Sequence, residues 1–250
     1  MSDEINSNLL YSTKYMREDF LPNISVDCVV FGFHDECLKV LLARTEGEKD
    51  WALPGGYVKK EEDLLDSAKR ILEERTGVKN VFLNQFMTFG KVRRTESFFK
   101  GIPDDVWYKQ RFVSIGYYAL VDFSTLKPIK DIFSDACSWH DVDMKPNLVM
   151  DHNDIYDIAL QQLRKDLNYK PVGLNLLREK FTMTELQRLY EIILNRKLNR
   201  GNFYRKMMRY NILTKLDETK KGGAHKSPNY YVFNMEEYNK ALENGFQESW

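Results

Sequence analysis

Apolar stretches separated by polar segments make up much of the first two thirds of the chain, and this pattern predicts a sheet packed against helices. Stretches rich in β-branched and aromatic residues predict strands at residues 24–33, 38–43, 51–58, 81–89, 112–122 and 137–142. Apolar residues at helical spacing predict one helix that ends at Gly77 and another at residues 153–167. This order predicts an α/β layered domain, in which the polar stretch at residues 91–110 forms a long loop.

The pattern changes in the last third of the chain, after Pro171 and Gly173 interrupt it. Two helices follow, and the first begins with Thr182 and Glu185 at the spacing of a capping box. Strands at residues 212–217 and 230–233 then flank a cationic tip that contains glycines. We therefore predict four segments, which are an N-terminal extension (1–24), the α/β domain (25–167), a linker (168–174) and a winged helix-turn-helix domain (175–250).

The second helix of the last third has an apolar and a basic face. Asn199 is a suitable cap, and Phe203, Met207 and Tyr210 form the apolar stripe. The opposite face carries Asn and Arg, which bond base edges in the major groove, as the second helix of a helix-turn-helix reader does. The cationic tip would contact phosphates. The predicted DNA-binding residues are Arg200, Asn202, Arg205, Lys206, Arg209, Lys220, Lys221, His225 and Lys226.

The charge distribution agrees with a polyanionic partner for this part of the chain. Residues 175–234 contain 13 Lys and Arg and five Asp and Glu, a net charge of +8, so the rest of the neutral chain carries −8. One strongly basic third in a neutral chain favours nucleic acid as the partner. A solvated charged face is the alternative interpretation of the same charges.

Composition predicts an ordinary globular protein of the cytoplasm. The chain of 250 residues is 43% hydrophobic and 30% charged, and it has no run of 18 apolar residues that would predict a membrane span. Its first 24 residues lack the continuous apolar core of a secretory signal. Three widely spaced cysteines, Cys28, Cys37 and Cys137, predict reduced and mostly buried thiols, with no disulfide framework or zinc site.

The stretch from Gly56 to Val78 carries a motif with two departures. It resembles the Nudix box, G-x5-E-x7-R-E-U-x-E-E-x-G-U, in which U is a bulky apolar residue. The residues in register are Gly56, Glu62, Arg70, Leu72, Glu74, Gly77 and Val78. Ile71 and Arg75 stand where the family pattern has glutamates. The resemblance places metal ligation and general-base chemistry at positions 71, 74 and 75.

Those three positions lie within about a third of the circumference of a helix, where three carboxylates would attract a hard cation. Ile71, Glu74 and Arg75 instead give a local charge of zero. We predict no catalytic residue, no bound metal and no cofactor, and therefore no enzyme. The alternative is a Mg²⁺-dependent hydrolase of a nucleoside diphosphate derivative such as ADP-ribose, which would use Glu62 and Glu74 with ligands from elsewhere.

Residues 181–191 and 202–206 resemble the winged-helix tail of the Nudix-related transcriptional regulators, and residues 111–120 resemble their central strand. The resemblance implies a Nudix-like α/β/α sandwich with a mixed sheet, followed by a C-terminal winged helix-turn-helix domain. It implies a homodimer that binds palindromic operator DNA and a small-molecule effector, and we predict a repressor of a sugar-utilisation or other metabolic operon. A nucleic-acid-binding scaffold without an effector is a further alternative.

The resemblance leaves two effector classes, because one branch of the family responds to ADP-ribose and another, the arabinose-repressor type, to pentose sugars. Loss of the metal that would neutralise a pyrophosphate favours a pentose or related sugar, although Arg75 could itself hold a phosphate. The predicted ligand-binding residues are Trp51, Glu74, Arg93, Arg111 and Tyr117.

Overall fold

The computed structural model describes residues 13–45, 47–77, 79, 81–96, 98–123, 126, 128–129, 134–171, 173–220 and 227–246. The chain divides into two compact units. The first comprises residues 1–31, 40–119 and 127–159, and the second comprises residues 32–39, 120–126 and 160–250. This division differs from the predicted domain boundaries, which stay a prediction.

The six-stranded sheet has the order β4-β5-β1-β2-β6, and β3 pairs antiparallel with β1. Its strands are β1 (Phe20–His34), β2 (Cys37–Thr45), β3 (Gly55–Lys59), β4 (Phe82–Phe89), β5 (Val113–Val121) and β6 (Ser134–Asp141). Residues 25–32 of β1 and 114–121 of β5 are buried without alternation. Continuous burial of this kind marks strands that are covered on both faces. The hydrophobic core therefore lies around the centre of this sheet.

Helix α1 (Leu64–Thr76) carries the motif of the sequence analysis and ends where Gly77 predicts. Gly77 has a φ of 76°, a left-handed conformation that favours glycine, and its N–H donates to the Glu73 carbonyl at 2.9 Å. The buried residues of α1 include Ala68, Ile71 and Leu72, as its apolar spacing indicates. A second helix, α2 (His152–Asp166), follows β6.

The last third of the chain forms the predicted winged helix-turn-helix arrangement. It contains β7 (Phe181–Thr182), α3 (Met183–Leu194), α4 (Arg200–Arg209), β8 (Leu213–Thr219), β9 (Asn229–Phe233) and α5 (Met235–Asn244). Its small sheet has the order β7-β9-β8. Both hydrogen bonds of the Thr182–Glu185 capping box are present, and the Asn199 side chain caps α4. These two caps confirm the predicted helix starts.

Several elements differ from the sequence predictions. Strand β1 begins at Phe20 because that residue pairs with Lys59 of β3, and α5 had no counterpart in the sequence analysis. The expectation of mostly buried thiols is wrong for Cys37, which is exposed at the start of β2, whereas Cys28 is buried. None of the helices among the described residues is long and apolar enough to cross a membrane.

Candidate functional site

Arg70 of α1 organises the surviving acidic residues of the Nudix-like motif. Its Nε and Nη2 donate to the Glu62 carboxylate at 2.7 and 2.9 Å, and its Nη1 donates to Glu74 at 3.0 Å. Nη2 also donates to the Tyr57 carbonyl at 2.9 Å, and the Ser67 hydroxyl donates to Glu62 at 2.7 Å. The Arg70 hydrogen bonds lower the pKa of Glu62 to about 2. Through Glu62 and the Tyr57 carbonyl, Arg70 therefore holds the start of the motif against α1.

The two residues that depart from the motif, Ile71 and Arg75, make structural contacts of their own. Ile71 is 1% exposed, and a Cβ at Gly56 would lie 3.0 Å from the Ile71 Cγ1 atom. Arg75 Nε donates to the Gly55 carbonyl at 3.0 Å, while Glu74 accepts from Arg70. Arg75 therefore links α1 to the start of β3.

These residues do not fit a divalent cation. Mg²⁺ takes hard oxygen ligands, whereas an apolar and a cationic side chain occupy two of the three ligand positions. Glu62 and Glu74, the remaining carboxylates, are hydrogen-bonded to Arg70. In the described ranges of the chain, no group of three or more His, Cys, Asp and Glu residues is placed to hold a metal.

A buried charge network, which the sequence analysis missed, lies in the same unit. Arg94 donates two hydrogen bonds of 2.8 Å to the Asp151 carboxylate and one of 3.1 Å to Asp27. The Ser114 hydroxyl donates to Asp27 at 2.6 Å. The Arg94 side chain is 4% exposed and the two carboxylates are each 10% exposed. Arg94 is therefore a buried counter-ion that holds the loop at residues 91–110 to the core.

His152 extends the network. The Leu53 N–H donates to its Nδ1 at 3.0 Å, and its Nε2 lies 3.7 Å from an Asp27 carboxylate oxygen. An Nδ1 that accepts a hydrogen bond is unprotonated, and burial lowers the pKa of His152, so the ring is neutral. A Cβ at Gly55 would lie 2.5 Å from Asp27 Oδ1, so the network requires glycine where Arg75 is anchored.

Arg93, the neighbour of Arg94, is the residue that the sequence predicts as a ligand contact. Arg93 has a side chain that is 77% exposed, a φ of 64° and a 3.6 Å contact with Glu96. In a loop there is no helical or strand periodicity that would show which of two consecutive arginines faces inward. Buried acids such as Asp27 and Asp151 are the only signal that a buried arginine is needed, and the sequence does not show their burial.

The other predicted ligand residues have separate partners in the structure. Trp51 packs against the His140 ring at 4.4 Å, Tyr117 donates to Gln85 at 3.1 Å, and Arg111 donates to the Gly90 carbonyl at 3.0 Å. Glu74 contacts Arg70, and Arg93 contacts Glu96. None of these contacts joins two of the five candidates, so their assignment to one site stays a prediction.

The predicted DNA-binding face of α4 points outward. Arg200, Asn202, Arg205 and Arg209 are exposed, and Lys206 is half-buried. The opposite side is fixed by Phe203 and Met207, which are 5% and 1% exposed. On the outer face, Arg205 Nη2 donates to Asn202 Oδ1 at 2.6 Å. A capped, anchored helix with an exposed basic face can enter a major groove.

The turn before α4 is held by a buried carboxylate. Glu191 has a side chain that is 10% exposed, and it accepts from the Leu198 N–H at 2.9 Å, from Gln187 at 3.1 Å and from Lys197 at 3.3 Å. The hydrogen bond with the Leu198 N–H lowers its pKa. The sequence analysis did not identify Glu191, because a glutamate in a charged helix gives no sign of burial.

The wing is the connection between β8 and β9, and residues 221–226 of it lie outside the described ranges. Lys220, at its base, donates to the capping-box residue Glu185 at 2.8 Å, which raises the pKa of Lys220. Lys221, His225 and Lys226, which the sequence analysis assigned to DNA, lie outside the described residues. The DNA contacts of all nine predicted residues stay predictions.

Comparison with known proteins supports both halves of this description. Residues 21–157 match the model of the NUDIX domain, and residues 173–233 match that of the NrtR DNA-binding winged helix domain. The chain is 29% identical over 248 residues to the ADPR-responsive transcriptional repressor NtrR of Acinetobacter baylyi, covering 95% of this chain and 94% of that protein.

Two crystal structures share the fold over most of the chain. Shewanella oneidensis NrtR, complexed with a 27mer DNA, has a TM-score of 0.71 and 24% identity, and the match covers 90% of this chain and 99% of that one. A MutT/nudix family protein from Enterococcus faecalis has a TM-score of 0.65 and 22% identity, with coverage of 90% and 93%. The predicted fold, a Nudix-like α/β domain with a mixed sheet and a C-terminal winged helix domain, is confirmed. The chain belongs to the Nudix family, and within it to the Nudix-related regulators that carry an NrtR-type winged helix domain.

Proposed function

We propose that the protein is a transcriptional repressor that binds operator DNA through α4 and responds to ADP-ribose bound in its Nudix domain. The observation that carries the proposal is the outward basic face of α4, with Asn202, Arg205 and Arg209 exposed on a helix anchored by buried Phe203 and Met207. The match of residues 173–233 to a DNA-binding winged helix domain supports the same role. Such a protein acts where the DNA is, in the cytoplasm.

The proposed complex is a homodimer on a palindromic operator. Each protomer places α4 in one major groove, and the two-fold axis of the dimer matches that of the operator. The half-sites then lie one or more helical turns apart, at about 34–36 Å per turn. Effector binding can change operator affinity only by as much as the effector's own affinity differs between two arrangements of the α4 helices.

The choice of ADP-ribose departs from the sugar favoured by the sequence alone. The relative of known function that matches nearly the whole chain is named for its response to ADPR, which supports a nucleotide sugar over a pentose. Arg75 gives the site a cation next to Gly55 in place of the missing metal. A guanidinium can bond phosphate oxygens through two N–H groups, so the lost metal does not exclude a pyrophosphate.

We propose further that the protein does not hydrolyse its effector. Two ligand positions hold Ile71 and Arg75, and the remaining carboxylates are bonded to Arg70. We expect no release of AMP from ADP-ribose in the presence of Mg²⁺, with an active Nudix hydrolase as the positive control. Magnesium-dependent turnover that survives in an Arg205→Ala variant would favour the alternative enzyme.

The proposal is tested by a gel-shift titration on DNA from around the protein's own gene at about 0.15 M salt. We expect sequence-specific binding that ADP-ribose changes by about 5-fold to 150-fold, the usual range of allosteric coupling. Pentoses and hexoses are tested in parallel, and a response to one of them alone would restore the sugar class. Specific binding that no compound changes would indicate the scaffold, and weak, sequence-blind binding would refute the repressor.

A further inference from the structure

We infer that Asn202 positions Arg205 and that Arg205, held in this way, reads one guanine in each half-site. The inference rests on the proposed function and adds the base that α4 recognises. It starts from the 2.6 Å hydrogen bond in which Arg205 Nη2 donates to Asn202 Oδ1 on the exposed face of the helix. The two residues are three positions apart, so their side chains are neighbours on one face.

The chemistry of the pair fixes which amide atom faces the arginine. A guanidinium has five N–H donors and no acceptor, so the Asn202 atom in contact with it must be the oxygen. Amide orientation is otherwise ambiguous, because oxygen and nitrogen look alike, but here the partner permits only one choice. The Asn202 oxygen therefore points along the helix to Arg205, and the amide nitrogen is turned away.

The hydrogen bond to Arg205 disfavours the contact that asparagine makes to adenine. Recognition of adenine uses both amide atoms, because the oxygen accepts from N6 and the nitrogen donates to N7. The Asn202 oxygen already accepts from Arg205, so one of its two lone pairs is used and the plane of the amide is set by that bond. An adenine contact would have to share this oxygen with the guanidinium, which favours a positioning role for Asn202.

The groups that remain on this face match guanine. Arg205 keeps further N–H groups, and neighbouring Lys206 and Arg209 carry only donors, so the face offers mainly donors. Guanine presents two acceptors, O6 and N7, on its major-groove edge, which arginine contacts with two parallel hydrogen bonds. Adenine and cytosine each present a donor there, which matches this face less well.

The backbone under the pair is also fixed. The Asn202 N–H donates to the cap Asn199 Oδ1 at 3.0 Å, which holds the first turn of α4. An exposed arginine loses side-chain freedom when it binds, and an existing hydrogen bond to Asn202 reduces that loss. Asn202 therefore contributes to guanine recognition without contacting the base.

The test is a comparison of full-length variants on the operator selected by wild-type protein from random DNA. Affinity is measured for the selected site and for sites in which each guanine is replaced in turn. We expect Arg205→Ala to lose about 10-fold to 100-fold of the discrimination at one guanine in each half-site. Asn202→Ala should lose discrimination at the same guanine, and the double variant should lose no more than Arg205→Ala alone.

Two further measurements separate positioning from direct contact. Asn202→Asp keeps an oxygen for Arg205, so the guanine preference should persist even if overall affinity falls. Replacement of that guanine by 7-deazaguanine removes the N7 acceptor, which should weaken wild-type protein about 10-fold and leave Arg205→Ala unchanged. Lys240→Ala, which removes an exposed cation of α5, is the charge control.

The possible contrary results are distinct. An adenine preference that is lost in both Asn202→Ala and Asn202→Asp, or losses in the double variant that multiply, would overturn the inference and leave the repressor in place. A wild-type protein with no sequence preference would overturn the proposed function instead. Thermal unfolding of each variant shows whether α4 is intact when discrimination is measured.

Discussion

Helices α1 and α4 both carry arginines, but Arg70 of α1 points into the protein and Arg205 of α4 points towards solvent. In α1, Arg70 is 19% exposed and bonds Glu62, Glu74 and the Tyr57 carbonyl. In α4, Arg205 is exposed and donates a hydrogen bond to Asn202, which is exposed as well. Arg70 therefore stabilises the packing within its own domain, whereas Arg205 belongs to an exposed surface that can bind a partner.

This difference separates stability from recognition. A buried charge that loses its partners leaves the other charges desolvated, so its removal destabilises the fold. An exposed charge contributes little to folding, and its removal is felt when the partner binds. Variants of the first unit should therefore change the free energy of unfolding, and variants of α4 should change DNA affinity.

The largest effect should follow removal of the buried guanidinium. We expect Arg94→Ala to lower the free energy of unfolding by about 3–5 kcal/mol, because Asp27 and Asp151 then stay buried without a counter-ion. Arg93→Ala is the matched control, since that side chain is 77% exposed, and it should change stability by less than about 0.5 kcal/mol. Denaturant unfolding at neutral pH measures both. Equal losses in the two variants would contradict the buried network.

The buried carboxylate beneath the recognition helix should come next. Glu191→Ala leaves the Leu198 N–H and the Gln187 amide without their acceptor, and we expect a loss of about 1–3 kcal/mol. Because the turn before α4 loosens, DNA affinity should fall as well. Glu218→Ala is the control, because its side chain is 61% exposed and bonds Lys180 at the surface. A stable Glu191→Ala with unchanged DNA affinity would show that the carboxylate does not position α4.

Most of the fold followed from local patterns. The long apolar strands, the glycine that ends α1 and the capping box at Thr182 each have a local signal, and each appeared within a few residues of its predicted place. The missed start of β1 depends on a distant partner, since Phe20 pairs with Lys59 of β3. Tertiary contacts of that kind leave no period in the sequence.

The site was less predictable than the fold. The exposed face of α4 follows from helical spacing, because every third or fourth residue shares a side. The network of Arg94, Asp27 and Asp151 joins residues from a loop, a strand and the start of a helix, so no spacing reveals it. For the same reason, Arg93 and Arg94 were indistinguishable until the burial of each side chain was known.

A smaller effect concerns the pH dependence of the Arg70 contact. The pKa of Glu62 is lowered from 4.5 to about 2, chiefly by the Arg70 hydrogen bonds. A lowered pKa in the folded state stabilises the protein above the unfolded pKa, and this stabilisation is lost as pH falls through the folded value. We expect Glu62→Gln to be less stable by about 1–2 kcal/mol at pH 7, after allowance for solvent screening.

The same variant has a distinctive pH profile. Its stability difference from wild type should shrink as pH falls from about 4.5 towards 2, because Glu62 of the unfolded wild type binds a proton in this range whereas folded Glu62 stays ionised until pH approaches 2. Denaturant unfolding at several pH values measures the difference. A gap that stays constant over this range would mean that the charge of Glu62 does not stabilise the motif.

The smallest effect distinguishes two lysines of the winged helix domain. Lys220 is paired with Glu185, and the two side chains are 50% and 43% exposed. Lys220→Ala should therefore lower the free energy of unfolding by less than about 1 kcal/mol. Each lysine that contacts phosphate contributes about one unit to the slope of log affinity against log salt. Lys206→Ala should therefore lower that slope by about one unit, and Lys220→Ala by less, because Glu185 competes for its ammonium group. Equal decreases would place both lysines on phosphate, and the contrast between paired and outward charges would then not extend to the wing.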